Sequence, residues 1–597
     1  MKIPKHPIRP FVYLALSFLS CGLAWGRDTA GLAQDLHTPE KTQGAEPKVA
    51  AADEQIVDRW RDMRLGLFIH WGPVSQRPEW EISWSRKDPR FFEVKPGEKS
   101  NVEEYDNLWK TFNPVKFDAA KWVSLVKDNG FSYIVFICKH HDGFSMFDTA
   151  LSEYKITRTP FGRDPLAELA SECHKQGIGL GVYYSPMDWW NPIQTTDQRS
   201  LEEKKLAGVK PPMYTPATDA YREFLHGQVR ELCTRYGEVM EMWFDGGSTK
   251  REDNGADALV AMVRELQPKA MINHRSYASG GGFFETPEGR NGKFNVTRPW
   301  ELCQTLGEGG WSYRNDKPKS FPYLLQNLLW SATGDGNFLL NMGPMADGTF
   351  DPRHVARFEE IGAWLKLYGN TVKGTRGGPF PMASYGGSTW RGDHIFLHVM
   401  FPENGPIRLP AIDRKILRAT CLTPGKVSLR QPAAPGSGAV LTLEEKGPAD
   451  QYDTIIDLQL DGPVEGIKVA QIPPAVTLGR HCTASSNPEA ASQACDGSGK
   501  GWVPDKTDSE PWLEVDAGKP VRVSEAYLSV QMHHKQSLGD FEIQARIGDG
   551  WTTIGKGTSV YERTWIVMPP VTAQAFRLHF FRPVDREILE FQLFQTP

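Results

Sequence analysis

The sequence predicts a parallel βα-barrel of the α/β class followed by two all-β regions. Two observations carry this. Short apolar runs alternate with amphipathic helical stretches from residue 53 to 370, and the helical texture stops after Gly369-Asn370. The apolar runs are Leu65–Ile69, Tyr133–Ile137, Gly179–Tyr183, Val239–Trp243, Ala270–Ile272 and Asn337–Asn341. Helical segments lie between them, at Ala119–Asp128, Leu166–Gln176, Tyr221–Tyr236 and Ala256–Leu266. Strand and helix alternating at this spacing argue for a parallel sheet, and the length suits a single barrel. A doubly wound open sheet is the rival, but no glycine-rich nucleotide fingerprint follows the first strand. From 371 to 472, runs such as His394–Val399 and Thr454–Leu458 are broken by glycine and proline and read as a small antiparallel β domain. Pro473-Pro474 marks a boundary, and the texture is all-β again from 477 to 597.

The N-terminus reads as a signal peptide over residues 1–26. Lys2, Lys5 and Arg9 form a positive region, Phe11 to Leu23 is apolar, and Ala24-Trp25-Gly26 offers small residues around a cleavage point before Arg27. The apolar run is shorter than the roughly 18 residues of a membrane span. Cys21 gives a lipoprotein alternative that its preceding residues fit poorly. Residues 27–52 are polar, alanine-rich and aperiodic, as in a linker. The expected location is therefore outside the cytoplasm, periplasmic or secreted, with no membrane span. The chain has 597 residues and a formal net charge of −5. It has no dense basic stretch, which argues against nucleic acid as a partner. Eight cysteines are too few for a disulfide scaffold. Cys482 and Cys495 lie close enough in sequence to pair after export, which spacing alone does not decide.

The barrel segment places its polar residues in a pattern. Phe68-Ile69 runs into His70-Trp71-Gly72, Phe136-Ile137 into Lys139-His140-His141-Asp142-Gly143, and Val182 into Tyr183-Tyr184-Ser185. Met242 leads to Trp243-Phe244-Asp245-Gly246, and Ile272 to Asn273-His274-Arg275. Active sites of βα-barrels are built at the C-terminal ends of strands, so five such ends converge on one pocket. Aromatic faces, histidines, an arginine and carboxylates, without a phosphate loop, suit a neutral sugar. Cleaving its glycosidic bond needs two carboxyl groups. Asp245, two residues beyond Trp243 and on the same face, is the natural nucleophile.

These residues resemble glycoside hydrolase family 29, the α-L-fucosidases. The resemblance rests on His70-Trp-Gly-Pro-Val-Ser75, Lys139-His-His-Asp-Gly-Phe144, Trp243-Phe-Asp-Gly246 and Asn341-Met-Gly-Pro344. Glu81-Ile-Ser-Trp-Ser-Arg86, Phe284-Glu-Thr-Pro-Glu288 and Pro299-Trp-Glu-Leu-Cys303 add to it, in the family's order across 53–370. It implies a (β/α)8-like barrel followed by a β-sandwich, and a retaining reaction that releases α-L-fucose from fucosylated oligosaccharides or glycoconjugates. Asp245 takes the nucleophile's position. His70, Glu81, His140, His141, Tyr184, Trp243 and Arg275 match positions of the fucose-binding shell, with Tyr183 beside Tyr184 left to strand phase. Glu288 is favoured as acid/base, Glu301 competes, and Glu285 is third; Glu301 could instead support the pocket wall. The tail from 477 resembles a discoidin-like (coagulation factor type C) carbohydrate-binding domain. The matching residues include Ala484-Ser-Ser-Asn487, Ala494-Cys-Asp-Gly497, Trp502 and Pro511-Trp-Leu-Glu-Val-Asp516.

Bland readings stand beside these. Asp245 could be a helix cap ahead of Gly246-Gly247, and the tail a spacer. No cofactor is expected. No metal is expected either, because adjacent strand residues such as His140 and His141 point to opposite faces and no third ligand has site spacing. An α-L-galactosidase and a non-catalytic glycan binder on the same scaffold are the functional alternatives. The latter would keep the aromatics and lose a carboxyl, whereas Asp245, Glu288 and Glu301 are all present.

Overall fold

The structure, a computed structural model, describes residues 53–88, 99–191, 218–246, 254–279, 282–288, 294–400, 406–431, 438–448, 451–530, 539–557 and 563–595. The signal peptide and linker read over 1–52 lie outside the described residues.

After helix α1 (Glu54–Met63), the strands β1 (Leu65–Ile69), β2 (Tyr133–Lys139), β3 (Gly179–Tyr184), β4 (Glu241–Phe244), β5 (Met271–Asn273), β6 (Phe283–Phe284), β7 (Glu301–Thr305) and β8 (Asn337–Asn341) form one parallel sheet. Its order is β6-β5-β4-β3-β2-β1-β8-β7. The two ends meet through isolated parallel bridges, Glu285 to Trp300 and Glu288 to Cys303. There the Glu301 N–H donates to the Glu285 carbonyl at 2.8 Å and the Cys303 N–H to the Pro287 carbonyl at 3.2 Å. The result is a nearly closed eight-stranded barrel. Its strands are buried on both faces, which is why most read as continuous apolar runs.

Helices α2 (Ala119–Asp128), α3 (Pro165–Gln176), α4 (Asp219–Arg235), α5 (Ala256–Leu266), α6 (Phe321–Thr333) and α7 (Pro352–Tyr368) follow β1, β2, β3, β4, β7 and β8. Asp118, Asp164 and Thr218 cap the first three of these, each side chain accepting from a backbone N–H of the opening turn. Among the described residues no α-helix lies between β5 and β7; a 3-10 turn, His274–Ser276, follows β5. The sequence reading found six strands and missed two. β6 is only two residues long, and β7 begins on the buried carboxyl of Glu301, so neither presents an apolar run.

Eight antiparallel strands follow: β9 (Arg376–Gly377), β10 (Gly387–Arg391), β11 (His394–Val399), β12 (Ile407–Leu409), β13 (Ile416–Cys421), β14 (Lys426–Arg430), β15 (Ala439–Glu445) and β16 (Thr454–Leu460). They make a five-stranded sheet, β13-β16-β11-β10-β9, and a three-stranded one, β12-β15-β14. The C-terminal unit comprises β17 (Cys482–Ala484), β18 (Trp512–Val530), β19 (Phe541–Ile547), β20 (Gly550–Gly557), β21 (Arg563–Phe580) and β22 (Ile588–Phe594). Leu513, Val515, Leu528, Ile543, Phe576 and Phe591 are among its core residues. Cys482 and Cys495 are buried free thiols; their hydrogen bond to each other, with burial, pushes the Cys495 thiol well above its ordinary pKa. Tyr527, Trp565 and Phe594 of this unit pack in one apolar cluster with Phe380 of the sandwich and Trp330 of α6. Gln326 of α6 donates to the Arg563 carbonyl at 3.1 Å, and the Arg563 guanidinium lies 4.8 Å from the Trp330 ring centroid. Among the described residues no helix is long and apolar enough to cross a membrane.

Candidate active site

Asp245 is the first residue beyond β4, and its carboxylate is held from several sides. The Tyr183 hydroxyl donates to Oδ2 at 2.8 Å, Arg275 Nη1 donates to Oδ1 at 2.8 Å, and His141 Nε2 stands 3.8 Å from Oδ2. Burial alone would raise its pKa; the Arg275 charge, His141 and the Tyr183 hydroxyl outweigh that and hold the carboxyl below its ordinary value. The other arm of Arg275, Nη2, donates to Glu288 Oε2 at 3.1 Å. One guanidinium thus joins two carboxylates, one largely covered and one 41% exposed at the rim. Beneath both lies Trp243, with the Arg275 guanidinium 5.0 Å from its ring centroid and the Tyr183 ring stacked on it at 5.5 Å.

Three buried histidines form the opposite wall, and their outer hydrogen bonds bear on their tautomers. The Asn341 amide donates through Nδ2 to the Trp311 carbonyl at 2.7 Å, so its Oδ1 accepts from His70 Nδ1 at 2.7 Å. The proton therefore sits on Nδ1, and His70 Nε2 is left as an acceptor. His141 Nδ1 bonds Ser185 Oγ at 2.6 Å, and Ser185 donates onward to the Met187 carbonyl. His140 Nδ1 pairs with Ser83 Oγ. Burial pulls His70 down to about 3 and His141 to about 4, with His140 also well below its ordinary value. All three are neutral at neutral pH, so each ring keeps one nitrogen donor and one nitrogen acceptor.

Glu81 enters from the segment after β1, its carboxylate accepting from the backbone N–H groups of Trp311 and Ser312 at 3.1 to 3.2 Å. Burial pushes it up to about 7 against those bonds. Its segment is tied down by Tyr105, whose hydroxyl accepts from the Ser83 N–H and donates to Asp142. Arg86, buried beside Trp189, pairs with Asp88 and Asp106.

Neutral histidines, aromatic rings and two carboxylates on one arginine are thus gathered beyond the C-terminal ends of the barrel strands. The α-L-fucosidase family profile matches residues 32–370, more than half of the chain. The chain belongs to that family. This fucosidase is 30% identical to α-L-fucosidase isoenzyme 1 of Paenibacillus thiaminolyticus, with a TM-score of 0.57 over 68% of this chain and 99% of the other. It is 26% identical to a family 29 α-L-fucosidase from Bacteroides thetaiotaomicron solved as a trapped covalent intermediate in complex with 2-fluoro-fucosyl fluoride. That match has a TM-score of 0.59 and covers 70% of this chain and 98% of the other. The tissue α-L-fucosidase of Rattus norvegicus is 25% identical over 71% of this chain and 92% of its own. The F5/8 type C domain profile matches residues 481–587.

Most residues singled out in the fucosidase sequence meet at this site; Tyr184, Glu301 and Glu285 do not. Tyr184 points outward, its hydroxyl donating to Gln228 of α4 at 2.7 Å. Tyr183 takes the place assigned to it, because β3 turns Leu180, Val182 and Tyr184 toward the helices and the odd residues inward. Glu301 faces the barrel interior, fully buried, accepting from Trp243 Nε1 at 3.1 Å and from the Tyr133 hydroxyl. It lies under the pocket floor rather than at its mouth. Glu285 is paired with Arg298 at 2.8 Å. The alternation argument for His140 and His141 also fails. Both lie beyond the end of β2, where no pleat separates them, and their ring centroids are 4.1 Å apart. With Asp245 they bring ligand atoms within 4.8 Å of one another, so a third potential ligand does stand beside them, contrary to the expectation from spacing. Sequence reasoning missed Trp311, whose ring lies 5.0 Å from that of His70 and whose N–H anchors Glu81. The turn Gly309-Gly310-Trp311 after β7 was the available signal.

Proposed function

We propose that this fucosidase hydrolyses α-L-fucosides with retention, with Asp245 as nucleophile and Glu288 as acid/base. The observation that carries the proposal is the Arg275 bridge. Two carboxylates sharing one guanidinium suit the roughly 5–5.5 Å separation of a retaining site better than the roughly 6.5–9.5 Å of an inverting one. In the first step Asp245 attacks the anomeric carbon, the glycosidic C–O bond breaks, and the Glu288 carboxyl gives its proton to the departing oxygen. In the second, the Glu288 carboxylate takes a proton from water, the oxygen of that water bonds to the anomeric carbon, and Asp245 leaves as a carboxylate. Arg275 and Tyr183 stabilise that charge whenever it is present. His70, His140, His141 and Glu81 are the groups that would meet the sugar hydroxyls, and Trp243 and Trp311 offer ring faces. The substrates are fucosylated oligosaccharides or glycoconjugates. We place the enzyme outside the cytoplasm, supported by Lys2, Lys5, Arg9 and the apolar run that follows them.

The test is kinetic. Asp245→Ala is expected to be inactive on every fucoside. Glu288→Ala is expected to keep its fucosylation step on activated aryl fucosides, with azide intercepting the fucosyl-enzyme. NMR should show α-L-fucose as the first product. Initial release of the β-anomer, or azide rescue of Asp245→Ala instead of Glu288→Ala, would sink the assignment.

A further inference from the structure

We propose that Glu301 is a positioning residue of the fucosidase reaction: within the barrel it shares one proton with Glu241 and holds the Trp243 indole, on which Arg275 and Tyr183 both rest. The proposal rests on Asp245 as nucleophile. Four barrel elements and α1 converge on this pair. From β2, the Tyr133 hydroxyl donates to Glu301 Oε1; from β4, Trp243 Nε1 donates to Oε2 at 3.1 Å. From α1, Trp60 Nε1 donates to Glu241 Oε2 at 2.8 Å. Cys303, the other titratable side chain of β7, is buried beside them, and from β8 Asn337 contacts Tyr133. No cation among the described residues bonds either carboxyl.

The two glutamates are both fully buried and hydrogen-bond to each other. Glu241 Oε1 has no other donor. Two ionised carboxyls in contact without a cation would repel and be undersolvated, so the pair holds one proton between them. Gly66 makes room for this arrangement, since a Cβ there would lie 2.2 Å from the Tyr133 ring.

The link to chemistry runs through Trp243. Both of its packing partners, Arg275 and Tyr183, are donors to Asp245. If the indole loses the acceptor for its N–H, it can rotate or tilt, and both donors lose their platform. A displacement of about 1 Å at such a site costs on the order of 100-fold in rate.

The experiment compares Glu301→Ala with Glu301→Gln on an aryl α-L-fucoside across pH 5 to 9. The alanine variant is expected to lose about 10- to 100-fold in kcat with KM changed less than about threefold, and azide should not restore it. Glutamine keeps one acceptor oxygen for Trp243 Nε1, while its amide N–H groups donate to the Tyr133 hydroxyl oxygen and stand in for the proton shared with Glu241. It is expected to recover most of the loss and to remove the part of the alkaline decline that follows ionisation of the pair. Three outcomes would overturn the proposal. A lowered melting temperature of Glu301→Ala with wild-type kcat in the folded fraction marks a purely architectural role. Azide rescue of Glu301→Ala with Glu301→Gln still impaired makes Glu301 the acid/base. If Glu301→Ala does not fold, Glu301→Gln with a wild-type alkaline limb would also refute the shared proton. Turnover surviving in Asp245→Ala would instead refute the reading on which this one rests.

Discussion

Replacing Tyr183 by Phe removes one oxygen and separates the two steps of the reaction. The lost bond is the 2.8 Å contact from the Tyr183 hydroxyl to Asp245 Oδ2, made by a side chain only 1% exposed. A hydrogen bond to a charged group contributes about 1.5–3 kcal/mol. In the second step Asp245 departs and regains its charge, so about half of that, roughly 0.8–1.5 kcal/mol, is missing from the transition state. At its upper end that is close to a tenfold slowing. In the first step Asp245 gives up charge, so the missing bond eases attack while loosening the geometry, and the two effects oppose. Tyr183→Phe should therefore lower kcat by up to about tenfold on an activated aryl fucoside. KM should fall with it, kcat/KM should change less than about threefold, and a burst of aglycone should mark accumulating fucosyl-enzyme. Tyr184→Phe is the internal control. It unpairs Gln228 Oε1 on the helix side and should cost about 1 kcal/mol of stability with kcat unchanged. Stopped-flow aglycone release and thermal melting of both variants decide the matter. If Tyr184→Phe suffers the larger loss of turnover, the inward assignment of Tyr183 is wrong.

Two further outcomes are expected. Removing residues 473–597 should leave turnover of a small aryl fucoside intact per folded molecule, yet lower the melting temperature and promote aggregation. The truncation uncovers Trp330 and Phe380, and buried aromatic side chains contribute roughly 1.5–3 kcal/mol each; an unchanged melting curve would show that the docking contributes nothing. His70 and His141, held near 3 and 4 by burial from a value of 6.5, take up protons on unfolding below pH 6.5. Their contribution is complete above 6.5 and is lost progressively as pH falls toward the folded values. Urea denaturation between pH 6.5 and 4.5 should show wild-type stability falling more steeply than that of His70→Gln; parallel slopes would refute the burial argument.

The barrel was legible wherever a strand is lined by apolar side chains on both faces, as in Tyr133–Ile137. It was illegible where the interior is polar. β7 carries Glu301 inward and buries Gln304 on its other face, against Tyr323 of α6 and Lys319, so its sequence looks like a loop with a motif in it. The site was legible as a set of strand ends, but the phase within a strand was not taken from the pattern already present. Leu180 and Val182 share a side with Tyr184, and Gly181 with Tyr183, which would have given the inward tyrosine. His140 and His141 fail the opposite test. Strand alternation was applied one residue past the strand, where the chain turns and both rings reach one pocket. Trp311 lies on the connection after β7 and Asn341 at the end of β8, and they meet His70 only through the fold, so the sequence shows them as motifs without showing that contact.

The closure of the barrel divides the labour of the site in space. Glu288 sits on the seam where a two-residue strand and a few bridging hydrogen bonds complete the sheet, and where no described α-helix buttresses the wall. The groups proposed to hold the sugar, His70, His140 and His141, and Tyr183 beside the proposed nucleophile Asp245, stand at β1 to β4, strands that are each followed by a packed helix. Lengthening or shortening the seam segment would relocate the proton donor while leaving the sugar's cradle as it is. The wall with the least architecture is thus the one on which a fucosidase of this build could change its leaving group, trading one aglycone for another without relearning how to hold fucose.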